Sequence, residues 1–210
     1  MSDAKLQLSA EEMRLVTDPG VILTKNSVMA KVVELMAGLS EEYQKILVDV
    51  LNNPAAVPPK ISRGENYLGF PWVMLDYPRN FSREDVFAIR TMFWWGHAFS
   101  ITLHLKGGYK RETLTRIKAR WAQLAAAGFH VSVSGDEWRH EHTPDNYREI
   151  SDVNALETGE EFLKLSAAIE LHRWGHAPEA LTSMFKTLIS VLFLPITVQP
   201  GGNAGRREGH

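Results

Sequence analysis

The chain has no cysteine at all. That excludes a disulfide scaffold, a thiol nucleophile and every cysteine-ligated zinc or iron–sulfur centre. It also lacks a surplus of charge of either sign: 23 Lys and Arg stand against 25 Asp and Glu, for a net charge of -2. The electrostatic footprint of a dedicated nucleic-acid or anionic-membrane binder is therefore missing. No long apolar run is present either. The longest near the end, Val191 to Leu194, meets Pro195 and is far too short to cross a bilayer. The start, Met1 to Leu6, has neither the basic opening nor the apolar stretch of a secretory signal. A cytoplasmic protein with no membrane association is the expectation. Also absent are a glycine-rich phosphate loop, a Gly-x-Ser-x-Gly elbow, His-Glu-x-x-His and an EF-hand loop.

What is present is an ordinary globular composition, 44% hydrophobic and 23% charged over 210 residues. This suits one domain with a full core. Ser9 and Glu12 have the spacing of a capping box and open a short helix that ends at Thr17 to Gly20. Two more helices are predicted, from about Ser27 to Ala37, where Gly38 stops the first, and from Ser40 to Asn53. Residues 54–66, with three prolines and Gly64, read as a loop. Strands are predicted near 72–77, 98–105 and 130–134, the second from the alternation of Phe99, Ile101, Leu103 and Leu105 with Ser100, Thr102 and His104. Residues 83–95, apolar all round and preceded by Ser82, read as a buried helix, and 109–127 as a basic amphipathic one. Two helices, 156–174 and 178–194, close the fold. The expected class is α+β with a small mixed or antiparallel sheet. It forms one domain over 1–198, comprising a helical segment at 1–53 and an α+β core at 67–198. Residues 199–210 are expected to be a disordered tail.

Five features bear on chemistry. If the strands at 98–105 and 130–134 are neighbours, Ser100, Thr102, His104, His130, Ser132 and Ser134 share one polar face, which Asp76 can join. Imidazoles and hydroxyls on a rigid sheet suit a ligand pocket or acid–base work, although a plain solvated face is the commoner case. The segment 136–142 holds the densest set of ligand-type side chains, Asp136, Glu137, His140 and His142. These could bind a divalent metal, a reading that Arg139 in their midst weakens. Trp-Gly-His-Ala occurs at 95–98 and at 174–177, in each case at an expected helix end. The basic residues between Lys106 and Arg120 are expected on a solvent face. Finally, ten of the chain's aromatics lie between Tyr67 and Phe99. Rings this dense make a core, a flat apolar pocket or an interface.

The function favoured by these residues is a non-catalytic binding or interaction protein with an aromatic-rich pocket edged by the polar strand face. It would form a homodimer through an aromatic surface or the apolar end helix Leu188 to Leu194. The alternative is a small acid–base or metal-dependent hydrolase built on His104, His130 and the 136–142 segment.

Overall fold

A computed structural model describes residues 6–51, 57–152 and 161–195 of the chain. The expected tail at 199–210, the expected helix end at Asn52 to Pro54 and the expected helix start at Leu156 lie outside these residues. Element order is α1 (Ala10–Val16), α2 (Pro19–Leu51), β1 (Lys60–Tyr67), β2 (Phe70–Phe81), β3 (Val86–Trp94), β4 (Ala98–Lys106), α3 (Gly107–Ala119), α4 (Trp121–Ala126), β5 (His130–Ser132), β6 (Tyr147–Glu149), β7 (Phe162–Glu170) and α5 (Ala177–Phe193). The fold is α+β, as expected, and every pairing in the seven-stranded sheet is antiparallel, in the order β1-β2-β3-β4-β7-β5-β6.

The capping box forms at α1, with Ser9 N–H donating to Glu12 at 2.7 Å and Glu12 N–H to Ser9 Oγ at 3.2 Å. The two helices expected next are one. α2 runs through Gly38 and Ser40 without a break, since helical contacts on either side outweigh the roughly 1 kcal/mol a mid-helix glycine costs. β1 occupies much of the stretch expected to be a loop. β2 continues past Pro78, which follows a cis peptide bond, to Phe81.

The expected helix at 83–95 is instead β3. It begins after a turn in which Asp85 N–H donates to Ser82 Oγ and Ser82 N–H to Asp85 O, both at 2.9 Å. Likewise 162–170, expected within a helix, is strand β7, followed by a 3-10 turn at Leu171–His176. α5 then starts with Pro178 in its first turn, as predicted. β4 matches its prediction closely, while β5 stops at Ser132 and leaves Val133 exposed rather than inward. β7 lies between β4 and β5, so those two are not neighbours.

One face of the sheet makes the core. Leu75, Ile89, Phe99, Ile101, Leu103 and Leu165 are buried there beneath α2 and α5. Tyr43 of α2 stacks on Phe185 of α5 at 3.8 Å between ring centres and shares a 3.1 Å hydrogen bond with Thr91 of β3. The apolar end of α5 packs in the same way: Leu188, Ile189, Val191 and Leu192 are buried in the core, while Leu194 is exposed. The basic helix breaks at Arg120, and part of its charge is structural. Arg116 donates to Leu192 O at 2.8 Å and Arg120 to Val191 O at 3.0 Å, satisfying carbonyls at the C-terminal end of α5. At the β4–α3 junction Gly107 has φ +62°, and a Cβ there would lie 2.1 Å from Asp85 Oδ1. That carboxylate accepts from Gly108 N–H at 2.6 Å. Among the described residues, no helix is long and apolar enough to cross a membrane.

Candidate functional site

The other face of the sheet is polar, and its residues lie in register. Asp76 pairs with Arg90, Arg90 with Thr102, Thr102 with Ser166, Ser166 with His130 and His130 with Glu149, one row across six strands. The next row sets Ala88, His104 and Lys164 side by side. Alternation along each strand puts these side chains opposite the core. Asp76, Thr102, His104, Lys164 and Ser166 are nonetheless buried, and Arg90 and His130 half-buried, because residues 133–146, between β5 and β6, cross this face as a strap; Glu149 at the outer edge is exposed. The two features that the sequence suggested separately, the polar strand face and the 136–142 segment, are thus the two sides of one interface.

Individual side chains fasten the strap. Glu137 accepts from Lys106 at 2.7 Å and faces His104 Nε2 at 3.0 Å, so His104 carries its proton on that nitrogen. Lys164, 1% exposed, donates to Glu137 O at 2.9 Å and Arg139 O at 2.5 Å. Arg90 holds Asp76 through two bonds of 2.7 and 3.1 Å and reaches His140 Nε2 at 3.3 Å. A guanidinium only donates, so that nitrogen accepts and a neutral His140 bears its proton on Nδ1. His140 N–H donates to Tyr67 OH at 2.8 Å, and Tyr67 donates to Glu141 at 2.6 Å. His142 shares a 2.9 Å hydrogen bond with Ser166, stacks on Tyr147 at 4.6 Å and meets the His130 ring at 5.9 Å. Asn146, fully buried, donates to Glu141 O at 2.7 Å.

Burial and neighbouring cations set the protonation states. Burial, reinforced by Lys164, lowers His104 to about 4 against the pull of Glu137. Burial with Lys164 and Arg90 lowers His140 to about 2. His142, whose outer edge meets solvent, falls to about 4 through the enclosure of its ring, His130 and Lys164. Lys164 itself drops to about 8 through burial and the charge of Arg90. Tyr67 is pushed up to about 12 by burial and by its bond to Glu141. At neutral pH these three imidazoles are uncharged.

Asp76, Ser100, Thr102, His104, His130 and Ser132 therefore do share a face, with β7 between the two histidine-bearing strands. Ser134 lies past the end of β5, where its hydroxyl accepts from Asp136 N–H at 3.1 Å. Asp136 in turn accepts from Trp138 N–H at 2.8 Å. Glu137, His140 and His142 each engage a different protein group, and Arg90 and Lys164 stand among them. Among the described residues no three His, Asp or Glu side chains are arranged to hold a metal ion. Sequence reading missed Arg90 and Lys164, which it placed on helices, along with Ser166 and Tyr67. The alternation of Leu163, Leu165 and Ala167 with Lys164, Ser166 and Ala168 was the signal that could have found two of them.

Beside the strap, the polar face opens into a cleft of about 350 Å³ lined by Met92, Trp94, His97, Ser100, His140 and His142. Its outer wall is a stacked pair, Trp94 on His97 at 3.5 Å, at the β3–β4 turn where Gly96 takes φ +75°. Tyr67 meets Trp94 edge-on at 5.3 Å and accepts the indole N–H at its carbonyl at 3.1 Å. The first Trp-Gly-His-Ala is thus a hairpin turn in the cleft wall. In the second copy Trp174 packs edge-on against Phe93 and Phe99, at 6.0 and 5.2 Å, on the core side. The aromatic concentration is accordingly split by the sheet, part core and part cleft. Behind His140 a hollow of about 10 Å³, room for one water, lies among Arg90, Thr102, His104 and Lys164. Beyond His142 a groove of about 390 Å³ runs past His130, Tyr147 and Arg148. Comparison with protein-family models, curated proteins and solved structures finds no match to the chain.

Proposed function

We propose that the protein is a non-catalytic binding protein that holds a flat, largely apolar small molecule in the cleft between the strap and the β3–β4 turn. The observation that carries this reading is the cleft itself. It has about 350 Å³ of space, a stacked wall at Trp94 and His97, apolar lining at Leu68, Met92 and Ala98, and further polar groups at Ser100 and in the strap at 140–143. That volume falls within the range of small-molecule sites, and few polar groups among apolar walls is their usual make-up. Ring faces favour a planar ligand.

Titration of indole, quinoline and naphthol fragments, followed by amide NMR shifts, tests the reading. Shifts should cluster at Met92, Trp94, Ser100 and 140–143 and disappear in Trp94→Ala and Ser100→Phe. Shifts that scatter, or that survive both substitutions, would refute it.

A small acid–base enzyme is the second reading, favoured by the His104–Glu137 pair at 3.0 Å. A carboxylate that fixes an imidazole tautomer is how histidine bases are oriented. Turnover of nitrophenyl esters or phosphates that falls on His104→Asn would support the enzyme. Fragment binding with no turnover would support the binder.

A further inference from the structure

We propose that the chain forms a two-fold homodimer in which the outer strand β1 pairs with its own copy, with the N-terminal helices of both chains meeting beside the axis. Two surfaces point there. The first is the edge of the sheet. β1 is eight residues long and, among the described residues, has one side unpaired, whereas the opposite outer strand, β6, has three. A long open edge is a template for another strand.

The second is the N-terminal arm. α1 buries none of its side chains, and the first buried residue of α2 is Met29. Met13, Leu15, Val16, Val21, Ile22 and Leu23 are all 40% exposed or more. A seven-residue helix lies well under the length at which helices hold on their own, so α1 needs packing that its own chain does not supply. Six apolar side chains standing in water within so short a segment mark an interaction surface.

The occupant follows from charge. A two-fold axis makes the contact self-complementary, so each β1 residue faces a fixed residue of the second copy. Centred on Arg63, the pairing would set two guanidiniums against each other, which is unfavourable. Centred on Gly64, the last regularly paired residue before the bulge that precedes Tyr67, it brings Arg63 opposite the partner's Glu65 and Glu65 opposite the partner's Arg63, two ion pairs from one register. The same axis locates the arm. Lys25 of α2 is ion-paired with Glu65, so both arms leave their bodies next to the axis and their apolar faces lie within reach of each other. A heterologous partner would have no reason to find opposite charges so placed about the middle of one strand.

Sedimentation and light scattering of the full chain from low to high micromolar concentration test the proposal. The natural sequence should be a dimer. Arg63→Glu sets like charges together twice and should weaken the dimer at least tenfold without lowering the melting temperature of the monomer. Adding Glu65→Arg together with Lys25→Glu, which keeps residue 65 ion-paired with α2, should recover association. Ile22→Asp, at the exposed arm, should weaken it as well. A monomer at every concentration, a dimer indifferent to Arg63→Glu, or no recovery in the triple variant would each overturn it.

Discussion

Lys164→Met separates the effect of a buried charge from that of the bonds it makes. The ammonium is almost wholly enclosed, with two strap carbonyls as acceptors and Arg90 as a like-charged neighbour. Its ordinary value is 10.5, and in the fold it falls to about 8. Between those two pH values the unfolded chain holds a proton that the folded chain has released. Stability therefore rises with pH across that window, and the full penalty applies below about 8. At 1.36 kcal/mol per pH unit, a displacement of 10.5 − 8 = 2.5 units is worth about 3 kcal/mol.

Methionine removes that penalty but leaves the carbonyls of Glu137 and Arg139 without their donor, at about 1–3 kcal/mol each. The two effects nearly cancel at neutral pH, so one measurement there says little. The difference between the two proteins is the informative quantity, since all other titrations cancel in it. Urea unfolding followed by tryptophan fluorescence, at half-unit steps from pH 7.5 to 10.5, should show wild type gaining about 3 kcal/mol over the variant across the window. Parallel stability curves would refute the assignment of a strained buried cation. Amide exchange at 137–143 should also quicken in the variant at every pH, because the strap loses its central fastening.

Three further outcomes are expected. Asp76→Asn leaves the buried Arg90 guanidinium without its carboxylate and should cost about 3 kcal/mol, read as a lower urea midpoint with unchanged slope. On the acid side, His104 is neutral in the fold and protonated below about 6.5 in the unfolded chain. The contribution of a neutral His104 should thus be full above pH 6.5 and be lost as pH drops toward about 4, and His104→Gln should remove about 3 kcal/mol of that fall. Phe185→Ala removes the buried ring stacked on Tyr43 and should cost about 3–5 kcal/mol by thermal or chemical unfolding, with the near-ultraviolet dichroism of Tyr43 lost in step.

The sequence was most legible where one side of an element is polar and the other is not. β4 alternates cleanly and was found almost to the residue, and the Ser9–Glu12 capping box formed as spaced. β3 was misread because it is covered twice. Ile89 and Phe93 face the core, while Ala88 and Met92 lie under the strap and cleft, so no period survives in its composition. Its share of aromatic and branched residues is nonetheless that of a strand. That misreading hid Arg90, and the similar misreading of 162–170 hid Lys164 and Ser166. The candidate site was therefore half visible: the histidines and their acids were found, and the buried cations that stand among them were not. That the strap would lie on the polar face was beyond the sequence, because it depends on β7 entering between β4 and β5.

That insertion also has a temporal meaning. β1 to β4 form a meander in which each strand pairs with the one just before it, a set of local contacts that close cheaply and early. β5 and β6 pair with each other but with none of the first four strands. Among the described residues they join the rest of the sheet through β7, which follows them in the chain. On a growing polypeptide the meander can assemble while the strap is still loose, and the polar face closes only once β7 has been made. The first four strands are accordingly where a folding nucleus is expected, and substitutions under the strap should speed unfolding while leaving the folding rate nearly unchanged.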